Sequence, residues 1–243
     1  QAFGMAHLLK VGGLFWERTA GPRSPLRLRP DHEEQWAAAR GGIRALYAAR
    51  HVAGFALGDE LVWMGVPRAD VALAAGVLRR DFPGAVVWVN EAASVVISGC
   101  NHFKLCEDYG PVPEGVSWFS VDRYWTSEGA TPQSHARKLR ELYEAHVLPR
   151  LGPTQRAVLV PGAFASDHNK KCSAQCYDRF CAADALRYFD WVRRDGRFAA
   201  IVPYHWNPCP GCRRTANEIG VRDMQRTRET WQAIARRITG GRG

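Results

Sequence analysis

The chain has 243 residues, 46% of them hydrophobic and 23% charged, enough apolar material for a substantial core and too ordered a composition for collagen-like, coiled-coil or disordered classes. No run of about 18 apolar residues occurs, so no helix is expected to span a membrane. The 33 Lys and Arg outnumber the 24 Asp and Glu for a net charge of +9, but the excess is spread along Arg23, Arg27, Arg29, Arg79, Arg80, Arg193 and Arg194, with a denser tail from Arg213, and reads as a solvated surface rather than a specific nucleic-acid site.

Short apolar runs alternate with helical patterns six times. Met5 to Phe15 reads as the first strand, and Asp31 to Arg50 as a helix, with Pro30 and Asp31 at its start and Glu33 and Glu34 in its first turn. Phe55 to Leu57 is the second strand and Pro67 to Arg80 the next helix. Ala85 to Val89 and Val116 to Val121 are the third and fourth strands, and Pro132 to Leu148 is helical. Ala157 to Val160 is the fifth strand, followed by a helix from Tyr177 to Arg193. Phe198 to Val202 is the sixth, and Glu218 to Ile238 closes the pattern. Trp36, Trp191 and Trp231 fall on helical patterns and read as core. Strands of four to eight residues between helices of twelve or more signal βαβ units and a parallel sheet covered on both faces. Right-handed crossovers leave an open doubly wound sheet or a closed barrel. The absence of G-x-G-x-x-G and G-x-x-x-x-G-K-[ST] weighs against the nucleotide-binding open sheet. The expected fold is therefore α/β, a parallel (β/α) barrel forming one domain over residues 1–243, with six βα units visible where a full barrel has eight. Gln1 opens the chain and no basic-then-apolar leader follows it.

In such folds chemistry collects where the strand C-termini share a face. Trp16 and Glu17 stand at the first strand end, Asp59 and Glu60 at the second, Asn90 and Glu91 at the third. Asp122, Tyr124 and Trp125 stand at the fourth, Gly162 and Phe164 at the fifth, and Tyr204, His205, Trp206 and Asn207 at the sixth. Rings beside carboxylates and amides suit a carbohydrate, whose C–H faces lie on aromatic rings and whose hydroxyls need polar partners. Asp59, Trp16, Asn90, Tyr124, Trp125, Tyr204, His205 and Trp206 are therefore candidate substrate-binding residues, and Glu60, Glu91 and Asp122 candidate catalytic carboxyls. Hydrolysis of a glycosidic bond needs two such groups, one protonated and one ionised. Glu60 and Glu91 would stand on neighbouring strands about 4.8 Å apart. No metal or other cofactor is expected for this chemistry, and the expected partner is an oligo- or polysaccharide.

The segment GFALGDELVW resembles the fourth-strand motif of (β/α)8-barrel glycoside hydrolases, in which a G-[FY]-x-[LI]-x-D-E strand delivers the catalytic acid. VVWVNEA, VSWFSVDRYW, AVLVPGAF and AAIVPYHWN are similar in order to strands five to eight, and Met5 to Glu17 then corresponds to strand three. The resemblance implies that Glu60 is the proton donor and that Asp59 orients a substrate group or tunes it. It also implies a second Glu at the end of strand seven. AVLVPGAF carries none, which leaves Glu91 or Asp122 as the second carboxyl, or a degenerate barrel that binds carbohydrate without cleaving it. The adjacent Asp-Glu pair is also similar to that of hexosaminidases, where the Asp holds the substrate's acetamido group as nucleophile. Their His-x-Gly-Gly lead-in is replaced here by Phe55, Ala56, Leu57 and Gly58.

Seven cysteines remain. Cys100 and Cys106 can close a local loop, and Cys172 or Cys176 can bridge to Cys209 or Cys212, a pattern that suits a secreted protein or another oxidising compartment. A zinc site using Cys209 and Cys212 with two of Cys172, Cys176, Cys181 or His168 is the alternative.

Overall fold

The computed structural model describes residues 7–124, 132–165, 173–205 and 219–240, with the side chains of 132–134 excepted. The elements are β1 (His7–Lys10), α1 (Gly12–Phe15), β2 (Trp16–Arg18), β3 (Leu26–Leu28), α2 (His32–Ala48), β4 (Val52–Asp59), α3 (Arg68–Asp81), β5 (Val86–Ala92), α4 (Ala93–Ser98), β6 (Trp118–Asp122), α5 (Pro132–Leu142), β7 (Arg156–Leu159), α6 (Ala174–Arg194), β8 (Phe198–Ile201) and α7 (Gln225–Ile238). A π turn over Tyr143–Val147 and a 3-10 turn over Leu148–Arg150 prolong α5. Six parallel strands with intervening helices form one sheet in the order β1-β4-β5-β6-β7-β8. This is the expected α/β arrangement of (β/α)-barrel type, with β1 and β8 at the two ends of the order.

The chain divides into two compact units, Gln1–Val121 with Arg150–Ala157, and Asp122–Pro149 with Val158–Gly243. In the first, Ala85, Val87 and Val89 are buried and Val86 and Trp88 half-buried, which is why this stretch reads as an unbroken apolar run; Asn90 and Glu91 stay buried beyond it. Helix α2 inserts Trp36 among Phe15, Phe55 and Phe82, with edge-on ring contacts to Phe55 at 5.8 Å and Phe82 at 5.9 Å. Fully burying a side chain of this kind contributes roughly 1.5–3 kcal/mol, so this cluster is a main anchor of the helix. The Trp36 indole also donates to Asp81 at 2.7 Å, joining α2 to the end of α3. Asp31 precedes α2 without capping it; its carboxylate pairs with Arg29 and accepts from Gln35. Helix α3 turns Val71, Ala74, Ala75 and Leu78 inward, the spacing of one helical face.

In the second unit, α6 begins at Ser173, whose hydroxyl accepts the Cys176 N–H. Its inner face places Ala185 and Phe189 against Ile234 of α7, with Trp231 packed on the same cluster. Trp191 meets Phe198 edge-on at 4.8 Å. Helix α7 lacks a cap of its own. Asp178 of α6 supplies one, its carboxylate accepting the N–H groups of Arg226 at 3.0 Å and Thr227 at 2.8 Å. Two orphan donors at a helix start are thereby satisfied.

The first expected strand is corrected. Met5 to Phe15 does not run as one strand; β1 ends at Lys10, a single helical turn follows, and the chain returns through an antiparallel ribbon of β2 and β3. Gly12 and Gly13 break the extended run, and a side chain at Gly12 would sit 3.0 Å from the Leu57 carbonyl oxygen. The short α4 directly after β5 is likewise absent from the sequence reading. Cys100 and Cys106 form the expected disulfide. Cys176 is disulfide-bonded and Cys181 is a free thiol, while Cys172, Cys209, Cys212 and His168 lie outside the described residues. Among the described residues no group of His, Cys, Asp or Glu is arranged to hold a metal ion, and no helix is long and apolar enough to cross a membrane.

Candidate active site

In the first unit, β4 and β5 are paired in parallel with Asp59 opposite Asn90. An irregularity between Ala56 and Gly58 shifts the register by one residue; such a bulge re-aims the residues that follow. Gly58 then allows the chain to fold back, because a Cβ there would lie 2.5 Å from Leu61 Cδ2.

Four residues at these strand ends occupy different environments. Asp59 is exposed and Glu60 half-buried, whereas Asn90 and Glu91 are buried. A directional chain of hydrogen bonds ends on Asp59. The Trp88 indole donates to the Ser120 hydroxyl at 2.9 Å, Ser120 donates to Asn90 Oδ1 at 2.6 Å, and Asn90 Nδ2 donates to Asp59 Oδ1 at 2.8 Å. Each member polarises the next, so the exposed carboxylate is oriented by a buried network. Ser120 and Trp88 were not recognisable as site residues from sequence; the one available signal is that Trp88 stands two residues before Asn90 on β5, with its side chain on the same face, and Ser120 stands on the next strand, β6.

Glu60 follows β4 with a left-handed backbone, φ 53°, a conformation costing a non-glycine residue on the order of 1 kcal/mol. Its N–H donates to the Asn90 carbonyl at 2.8 Å, and its carbonyl accepts from Met64 at 2.8 Å. Glu91 has no exposed surface. One of its carboxyl oxygens accepts the Val62 N–H at 2.8 Å and the other the Trp63 N–H at 3.4 Å. Burial pushes its pKa up to about 8, opposed by the two backbone donors and reinforced by the nearby Glu60 and Asp59 charges. Trp16 is also buried, and its indole N–H is bound to the Leu57 carbonyl at 2.9 Å; it supports the end of β4 from within.

In the second unit, Asp122 pairs with Val160 across β6 and β7, and Gly162 with Tyr204. Tyr124 and Tyr204 stack at 5.1 Å, Phe164 lies edge-on to both, and the His205 ring stacks on Phe164 at 5.5 Å. Tyr204 keeps 46% of its surface exposed. The peptide bond between Tyr204 and His205 is cis. Phe164 and Gly162 complete this ring cluster. The structure thus gathers Asp59, Glu60, Asn90 and Glu91 in one unit, and Tyr124, Tyr204 and His205 in the other, where Asp122 ends β6. Trp125 and Trp206 lie outside the described residues.

Neither the profiles of known protein families nor curated protein sequences match this chain. Solved structures do. A GH5_18 protein from Streptomyces cattleya in complex with Manb1-4GlcNAc aligns with a TM-score of 0.53 at 14% identity, over 86% of this chain and 55% of that one. A GH2 beta-galacturonidase from Eisenbergiella tayi aligns with a TM-score of 0.53 at 12% identity, over 84% of this chain and 37% of its own length. A GH113 beta-1,4-mannanase aligns with a TM-score of 0.51 at 11% identity, over 96% of this chain and 75% of that one. The chain spans about half or less of the length of the first two of these structures. Its fold is that of the (β/α)-barrel glycoside hydrolases.

Proposed function

We propose that this chain acts on glycosidic bonds of an oligo- or polysaccharide, with Glu60 as the proton donor. The observation that carries the reading is the position of Glu60: a half-buried residue directly after β4, its backbone N–H held by the Asn90 carbonyl of β5, beside an oriented Asp59. A general acid needs partial withdrawal from water to keep its proton near neutrality, with enough access to reach a leaving oxygen. Asn90 serves by orienting Asp59. Tyr124, Trp125, Tyr204, His205 and Trp206 are the proposed sugar-contacting residues, whereas Trp16, proposed from sequence for the same role, is buried and supports the end of β4 instead. Asp122 is the remaining candidate for the second carboxyl, and the Cys100–Cys106 disulfide supports a secreted or otherwise oxidising location.

The test is turnover of aryl glycosides, β-1,4-mannan and uronide-containing polysaccharides by the wild type and Glu60→Gln. Loss of a general acid lowers kcat by about 10²- to 10⁴-fold. Equal rates in the two proteins would remove Glu60 from that role.

A second reading, a carbohydrate-binding protein on a degenerate barrel, is favoured by one observation. A Cβ on Gly162 would lie 2.9 Å from the Tyr124 ring, so this position after β7 has no room for a carboxylate side chain. Binding without turnover, weakened by Tyr204→Ala, is the outcome that would select this reading.

A further inference from the structure

We infer that Glu91 is a positioning residue, whose carboxyl holds the turn that carries Glu60 and does not itself meet substrate. The inference rests on the reading of Glu60 as the acid, and it follows from three observations. First, Glu91 is wholly buried, and both its oxygens are engaged by backbone N–H groups, those of Val62 and Trp63. These are the second and third residues after Glu60. A group in that setting cannot approach an anomeric carbon.

Second, residues 60–66 form a compact turn whose internal bonds run from Met64 N–H to the Glu60 carbonyl, Gly65 to Val62, and Val66 to Leu61. The N–H groups of Val62 and Trp63 find their acceptors on Glu91, and unsatisfied buried donors cost about 1–3 kcal/mol each. The neighbouring Asn90 carbonyl takes the Glu60 N–H. Two successive residues of β5 therefore secure both the strained Glu60 backbone and the turn beyond it.

Third, the turn is held from its other side as well. The Trp63 carbonyl accepts the His102 N–H at 2.8 Å, and the two rings lie 4.7 Å apart. His102 sits within the loop closed by Cys100 and Cys106. With Trp63 fixed at its N–H by Glu91 and at its carbonyl by His102, the turn has little freedom, and the direction of the Glu60 side chain is set by its backbone.

The experiment is residue-resolved amide hydrogen exchange on the full chain, with kinetics beside it. Glu91→Ala is expected to speed exchange at Val62 and Trp63 by about tenfold, the equivalent of a lost hydrogen bond, while amides of β7 and α7 keep wild-type rates. Glu91→Gln retains one acceptor oxygen and should restore protection at one of the two amides. Glu91→Asp, one methylene too short, should not, and this pair decides the matter if the alanine variant does not fold. Where the wild type turns over substrate, Glu91→Ala should lower kcat with KM little changed, and Glu91→Gln should recover part of it. Unchanged protection at Val62 and Trp63 in both Glu91→Ala and Glu91→Asp would overturn the inference, as would loss of kcat in Glu91→Gln equal to that in Glu91→Ala with protection intact. Absence of turnover in the wild type itself would count against the glycosidic reading, and the exchange result would still stand or fall separately.

Discussion

Gly162 lies so close to Tyr124 that a β-carbon on it would sit 2.9 Å from the ring. Gly162 also pairs with Tyr204, whose ring stacks on Tyr124. The glycine is therefore a spacing requirement of the ring cluster. Gly162→Ala is expected to destabilise the protein by about 1–3 kcal/mol through overpacking, read as a lowered urea midpoint. It should also perturb the near-ultraviolet circular dichroism of the tyrosines. An unchanged midpoint would mean that the Tyr124 ring moves aside freely.

Ser120 is fully buried and serves two partners, accepting from Trp88 and donating to Asn90. Ser120→Ala would strand the indole N–H and the amide oxygen together. The expected loss is about 1–3 kcal/mol, visible as a lower Tm. Under the proposed function it should also reduce activity, because Asn90 would hold Asp59 less firmly. Trp88→Phe with Ser120→Ala should be less than additive, since both remove the same bond.

Asp178 caps α7 from another helix, so its removal should be felt where α7 begins. Asp178→Ala is expected to cost about 0.5–2 kcal/mol and to speed hydrogen exchange in the first turn of α7. Asp178→Asn, which keeps one acceptor oxygen, should recover part of that. Equal stability of all three proteins would show that water replaces the cap at no cost.

The dependence of stability on pH has a defined sign. Burial raises Glu91 to about 8 and Asp184 to about 7, the latter opposed by its pairing with Arg187. A carboxyl raised on folding binds a proton that the unfolded chain has released. Its contribution is most favourable below the unfolded value, near 4, and declines as pH rises toward the folded value. Wild-type stability should therefore fall between about pH 4 and pH 8, with a slope of up to about 1.4 kcal/mol per pH unit for each titrating proton. Glu91→Gln and Asp184→Asn should each flatten that decline. On the acid side, Asp81 is lowered by the Trp36 indole bond, opposed by its partial burial and aided by neighbouring Arg side chains. Its contribution is present above the unfolded value and is lost as pH falls through the folded one. Thermal melts from pH 3 to pH 9 check both limbs.

Much of the sheet was legible because covered parallel strands carry apolar residues on both faces. AVVWV and AVLV announce themselves for that reason, and α2 and α3 show one-sided periodicity. The region after β1 was not legible. A single helical turn and three-residue strands are too short for periodicity to register, and their direction is set by contacts such as that of Gly12 with the Leu57 carbonyl.

The sequence by itself determined which residue types stand at the strand ends, since alternation of strands and helices sends them there whatever the packing details. It placed Glu60 and Glu91 alike at the ends of apolar runs as candidate catalytic carboxyls, and the family resemblance favoured Glu60 as the proton donor. Only the tertiary structure showed how different their surroundings are. The turn after β4 lays its backbone N–H groups over Glu91 and encloses it, while Glu60 keeps part of its surface open. The reason is physical: burial and hydrogen-bond partners arise from segments distant along the chain, as Val62 is from Glu91, and a carboxyl's chemistry is set by that surrounding dielectric and those donors.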